Sequence, residues 1–201
     1  MSKAKLKRRK VERISKKLMI FIDGQNLFYG CRTFQQKFKV DIEKLVDILK
    51  DLEPDRELIE VCYYGSLRPH DPKIKNDDER FRKQQGFYEM LKFRFRTFIK
   101  TTRVKEVKCR ICGKTFSEDV EKGIDVALAT DFLLYGLVGE YDTAIIVSGD
   151  SDLAPVIGKL RDRKPSLRIE IAQFKHMVGV ELRQVGHKFH ELDNIATKFQ
   201  M

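Results

Sequence analysis

A chain of 201 residues suffices for one well-cored α/β domain with a tail or insertion and is short for two full domains. Its longest apolar runs, at residues 18–22 and 144–147, are far too short to span a bilayer, and the charged N-terminus has no apolar h-region of a secretory signal, so no membrane partner and a reducing, cytoplasmic compartment are expected. A formal net charge of +10, from 40 Lys and Arg against 30 Asp and Glu, favours a polyanionic partner through counterion release but does not separate RNA from DNA or acidic lipid.

Residues 1–17 carry nine Lys or Arg against the single Glu12. This basic tail reads as a solvated, partly helical segment, as an RNA-gripping arm or as a nuclear address. The unbroken apolar run at 18–22 predicts a strand buried on both faces, ending at Asp23. Helices follow at 25–34 and 41–52, the second with Ile42, Leu45, Val46 and Leu49 on one face and stopped by Pro54. A strand at 58–64, a turn-rich stretch, a charged helix at 77–92 and a strand at 96–107 come next.

Residues 108–121 break the rhythm as an insertion or hairpin. After Gly123 comes a helix apolar almost all round, which predicts deep packing. A strand at 141–147 ends in Ser148, Gly149, Asp150, Ser151 and Asp152, and a helix at 153–163 has Pro155 in its first turn, where proline is tolerated. A fifth strand at 168–174 and a last helix starting at 180–187 complete a domain over 18–193, with 194–201 as a C-terminal tail. Alternating strands and helices imply a parallel, doubly wound sheet with right-handed crossovers.

In such sheets the ligand crevice lies beyond the C-terminal strand ends, where the strand order reverses. Asp23 and Asp150 each follow a strand apolar enough to be central, so they face each other if those strands are neighbours. Asp152 lies one step beyond, and Asp125, in the first turn of the apolar helix, can lean in from the side. Carboxylates about 5 Å apart would repel by roughly 3 kcal/mol at an effective dielectric of 20. An all-oxygen set suits Mg²⁺ or Mn²⁺, which activate water and stabilise the leaving oxygen in phosphodiester cleavage. Each acid alone is read equally well as a helix cap or a favourable charge at a helix N-terminus. Asp131, about 120° around the helix from Asp125, is a second-tier candidate, and Asp142 falls at the opposite sheet edge. Asn26 either orients metal-bound water or simply begins a helix; Ser148 and Ser151 either orient water or turn the chain.

The runs Ile22-Asp23-Gly24-Gln25-Asn26-Leu27, Lys122-Gly123-Ile124-Asp125-Val126 and Val147-Ser148-Gly149-Asp150-Ser151-Asp152-Leu153 resemble, in order and spacing, the motifs of the NYN domain, close to its LabA-like branch, within the PIN-like nuclease superfamily. The resemblance covers roughly residues 18–193. It implies a PIN-like three-layer α/β/α sandwich around a mostly parallel five-stranded sheet, and a Mg²⁺- or Mn²⁺-dependent ribonuclease site. Asp23, Asp125, Asp150 and Asp152 fall on the family's acidic positions and Asn26 on its asparagine. The insertion at 108–121 is not part of the resemblance.

For phosphate contact, Lys122 leads, with Arg68 and Lys175 beside it. Residues 92–108 interleave Lys92, Arg94, Arg96, Lys100, Arg103, Lys105 and Lys108 with Phe93, Phe95 and Phe98, a pattern that suits single strands stacked on aromatics, although each phenylalanine is also a fair core residue. Cys109 and Cys112 have the spacing of a zinc knuckle but supply half of the four ligands that structural zinc requires. Partners are sought in His187 and His190, Cys62, His70 or the same pair of a homo-oligomer; the alternative is free thiols. Two functions follow: a metal-dependent ribonuclease, endonucleolytic on single-stranded RNA, or an RNA-binding or protein-interaction module with the same fold and little activity.

Overall fold

The computed structural model describes residues 15–72, 76–120 and 122–201, with the backbone alone at 117–119. Most of the basic tail lies outside the described residues. In chain order the elements are β1 (Lys16–Asp23), α1 (Gly24–Phe34), α2 (Ile42–Lys50), β2 (Arg56–Leu67), α3 (Asp77–Lys92), β3 (Arg96–Thr101), β4 (Arg103–Lys108), β5 (Thr115–Val120) and α4 (Ile124–Val138). Then follow β6 (Thr143–Val147), a 3-10 turn at Ser151–Leu153, α5 (Ala154–Arg163), β7 (Arg168–Gln173), α6 (Val180–Val185) and β8 (Lys188–Glu191).

Six strands form one sheet in the order β3-β2-β1-β6-β7-β8, and every pairing in it is parallel. Chain progression runs outward in both directions from the β1–β6 pair, which is therefore the switch point. The middle of β1 can be apolar at every position because helices cover both faces. Leu18, Ile20 and Ile22 pack with α1, α2 and α3 residues such as Leu27, Leu45 and Leu91. Met19 and Phe21 pack on the other face with Leu128, Phe132 and Ile157 from α4 and α5. The result is the expected three-layer α/β/α arrangement. Among the described residues no helix is long and apolar enough to cross a membrane.

Several expectations are corrected. The sheet has six strands rather than five, because Phe189 and His190 of the segment read as running on from a helix pair with Ile171 and Ala172 of β7, respectively. The strand expected over 96–107 is divided at Thr102: its first part joins the sheet beside β2, and its second turns away to pair antiparallel with β5. The stretch read as an insertion or hairpin is thus the far half of a hairpin that starts at Arg103. The last residues do not trail off as a tail, since Phe199 is fully buried and Gln200 bridges to Val40. Helix α4 is buried along Ile124, Leu128, Phe132 and Gly136 alone, while Val126 is 67% exposed and Leu134 and Val138 also face solvent; its all-round apolarity does not translate into all-round packing.

Candidate active site

The strand β1 carries Asp23 to the C-terminal sheet edge, one residue beyond the pairing of Ile22 with Val147 of β6. By strand alternation it shares the α4–α5 face with Phe21. Its carboxylate is 7% exposed and caps α1, with Oδ1 accepting from the Asn26 N–H at 3.0 Å. Its Oδ2 accepts from the Ser148 hydroxyl at 3.1 Å. Burial pushes the Asp23 pKa up to about 6; the two hydrogen bonds oppose this, and the nearby charges of Asp125 and Asp150 raise it further. Asp23 therefore feels the charge of two of the other three expected acids.

Ser148 links the two strand ends. Fully buried, it donates to Asp23 while its oxygen accepts from the Asp150 N–H at 3.1 Å. Asp150 in turn caps the 3-10 turn through the Asp152 N–H, 3.0 Å from its Oδ1. Asp152 and Asp125 lie exposed at the rim. Gly123, at φ +82°, turns the chain left-handed into α4 and so sets the position of Asp125; this conformation favours glycine. Gly149 has a tighter constraint, because a Cβ there would meet the Met177 carbonyl oxygen at 2.1 Å.

Asn26 acts as a fastener in this structure. Its Oδ1 accepts from the Gly149 N–H and from the Gln173 amide, both at 2.8 Å, tying the start of α1 to the ends of β6 and β7. Gln173 is fully buried and was not singled out from the sequence; no local pattern marks it, since its partner is 147 positions away. Ser151 sits in the 3-10 turn near Gly179, whose added Cβ would meet its Oγ at 2.7 Å. Asp131 is engaged elsewhere, accepting from the Tyr64 hydroxyl at 2.8 Å. Asp142 accepts from the Lys17 N–H at 2.9 Å at the opposite edge, a structural tie.

Of the cations, Lys122 is exposed just before Gly123. Lys100 on β3, not singled out from the basic stretch, brings its ammonium to within 3.1 Å of where a Gly123 Cβ would stand. Arg68, half-buried beyond β2, lines a cavity of about 340 Å³ with Gln25, Tyr29, Ser66 and Arg80. Lys175 is drawn to Glu191 at 3.8 Å. Of the interleaved aromatics, Phe93 is 88% exposed, Phe98 is partly exposed near Tyr64, and Phe95 packs against the core.

The oxygen-only set of Asp23, Asp125 and Asp150 has the chemistry for a hard divalent ion. Burial first, and the nearby charges of Asp125 and Asp150 after it, disfavour the ionised Asp23 carboxylate, and a cation held beside it would offset both. Among the described residues, however, no group of three or more His, Cys, Asp or Glu closes into a metal cage; the acids are gathered at one edge without converging on one point.

The zinc partners sought within the chain are otherwise occupied. Cys62 is buried beneath α4, where burial pushes its thiol up to about 12. His190 Nε2 lies 2.7 Å from Glu170, His187 Nδ1 accepts from the Ile169 N–H, and His70 pairs with Asp78. Cys109 and Cys112 stand apart at the β4–β5 turn.

The family described as the NYN domain matches residues 17–193 of this chain. Low amplitude and bright protein LabA of Synechococcus elongatus is similar to it, 26% identical over 183 residues that make up 90% of this chain and 86% of LabA. A crystal structure of a protein of unknown function from Vibrio parahaemolyticus has the same fold, with a TM-score of 0.66 and 18% identity, covering 94% of this chain and 98% of that one.

Proposed function

This chain belongs to the NYN domain family, a PIN-like nuclease family, and from that premise we propose that it is a Mg²⁺- or Mn²⁺-dependent ribonuclease cutting single-stranded RNA endonucleolytically. The observation that carries the proposal is the placement of Asp23, with Asp125 and Asp150 close enough to raise its pKa, at the β1–β6 switch point. Asp23, Asp125 and Asp150 would hold the ion, with Asp152 at the rim. An ion held there would supply Lewis acidity, activating water for attack and offsetting the charge that develops in phosphodiester cleavage.

The chain's own groups do the remaining work. Ser148 and Asn26 fix the strand ends so that the Asp23 and Asp150 carboxylates keep their spacing, and preorganised charge is the larger part of phosphodiester catalysis. Lys122 and Lys100 flank the entry to α4, where they can hold a phosphate; Phe98, two residues before Lys100 on the same face of β3, can stack a base. Arg68 would receive the backbone on the other side of Asp23, and Lys175 is the outlying cation.

The test incubates labelled single-stranded RNA with wild type, Asp23→Asn or Asp150→Asn in Mn²⁺, Mg²⁺ or EDTA. Cleavage should need wild type and metal together; cleavage surviving EDTA and both substitutions refutes the proposal. A second reading, an RNA-binding or protein-interaction module with little activity, draws support from the absence of a closed acidic cage among the described residues. RNA that is bound but left intact in every metal would select it.

A further inference from the structure

The β4–β5 hairpin leaves the sheet after Thr102 and returns to it at α4; its strands pair with each other rather than with the six-stranded sheet. Cys109 and Cys112 occupy its turn. The Cys109 N–H donates to the Lys114 carbonyl at 2.8 Å, and the Gly113 N–H donates to the Cys109 carbonyl at 2.9 Å. Gly113 closes the loop at φ +70°, a left-handed turn that glycine takes without a Cβ penalty. Inside the loop the Ile111 and Cys112 N–H groups are directed at the Cys109 sulfur, and the two thiols lie within hydrogen-bonding reach of each other. Two neighbouring cysteine sulfurs can take two corners of one tetrahedral ion.

Two corners remain. Among the described residues no third His, Cys, Asp or Glu groups with this pair, whereas a structural zinc site has four ligands. Cys112 is exposed, and Ile111, between the cysteines, is 97% exposed, so the tip is accessible and carries an apolar side chain without cover.

We propose that Cys109 and Cys112 are half of a zinc site completed by the same pair from a second copy of this chain, one Zn²⁺ joining two hairpins tip to tip. Two identical half-sites close naturally about a two-fold axis passing through the ion, an isologous contact. That contact would bring the Ile111 side chains of the two tips together. The four thiols release their protons to solvent on ligation, leaving the zinc–tetrathiolate at a net charge of 2−. This offsets repulsion between the two sets of Lys108, Arg110 and Lys114 that surround the cysteines.

The experiment uses the full chain in a non-chelating phosphine reductant with added ZnCl₂, which excludes a disulfide-linked dimer. Light scattering should give a dimer containing about one-half zinc per chain, and cobalt substitution should give the intense thiolate-to-metal absorption of a four-sulfur tetrahedral site. Cys109→Ser, Cys112→Ser or a chelator added to wild type should each return a monomer with unchanged far-UV circular dichroism. Because the chelator acts on the wild-type chain, a misfolded variant cannot obscure the outcome. Absence of bound zinc, one zinc per monomeric chain, or a dimer that survives chelation and both substitutions would overturn the proposal.

Discussion

Asp23→Asn should stabilise the metal-free protein at neutral pH while abolishing its proposed chemistry. Burial, opposed by the hydrogen bonds from Asn26 and Ser148 and reinforced by Asp125 and Asp150, raises the Asp23 pKa from 3.8 to about 6. At 1.36 kcal/mol per pKa unit, that is about 3 kcal/mol. Because the folded-state pKa is the higher one, the favourable contribution is fully present below the unfolded-state pKa and is lost as pH rises through about 6. The ionised carboxylate then strains the folded state and not the unfolded chain. An asparagine carries no such charge and can still accept from the Asn26 N–H. Urea unfolding in EDTA should therefore show the variant gaining on wild type by about 3 kcal/mol between roughly pH 4 and pH 8, whatever the constant offset from rearranged hydrogen bonds. Adding Mn²⁺ near pH 8 should recover stability in wild type and much less in the variant. A stability difference that is flat with pH, or that moves against the variant as pH rises, would refute the reasoning.

Asn26→Ala removes the acceptor shared by the Gly149 N–H and the Gln173 amide; at about 1–3 kcal/mol for each donor left unpaired, urea midpoints should fall clearly, and RNA cleavage should fall with them as Gly149, next to Asp150, loses its anchor. Glu170→Ala should cost about 1–3 kcal/mol by the same measurement, because it removes the buried acceptor shared by Arg56, Arg168 and His190 and leaves the buried Arg56 with Glu53 as its remaining carboxylate partner. Arg56 reaches Glu170 at 2.7 Å with its side chain 2% exposed. Burial works against the Glu170 carboxylate, but the hydrogen bonds from His190, Arg56 and Arg168 outweigh it and hold its pKa well below the usual range. The stability it contributes is present above the unfolded-state pKa and is lost progressively as acidification runs from there down through that depressed pKa. An unchanged urea midpoint in either variant would contradict the pairing described.

The central strands were legible because parallel strands covered on both faces must be apolar throughout. The runs at 18–22 and 144–147 met that demand, and the switch point followed once they were neighbours. Asp23 and Asp150 were legible for the same reason, as the first carboxylates beyond those runs. By contrast, β8 is four residues long, KFHE, with no β-branched side chain; it is a strand only because β7 offers it an edge. Helix α4 misled for the opposite reason, since apolarity on every side cannot say which side the sheet will cover. The fastening role of Asn26 was hidden too, because Gly149 and Gln173 arrive from distant segments, and tertiary hydrogen bonds between polar side chains leave no periodic trace.

The pairing of β1 with β2 changes register between Leu18 and Met19: Leu18 stands opposite Leu58, whereas Met19 stands opposite Glu60. The residue skipped over, Ile59, is 44% exposed. An extra residue has thus been accommodated in β2 near the edge away from the acids, and the ladder beyond it resumes unbroken to Asp23 and Tyr64. In β1 the same event would be ruinous, for one residue more or less before Asp23 would turn its carboxylate towards α1, away from Ser148 and Asp125. Length variation in descendants of this fold should therefore gather in β2 before the bulge and at the hairpin tip, while the count from Leu18 to Asp23 stays constant.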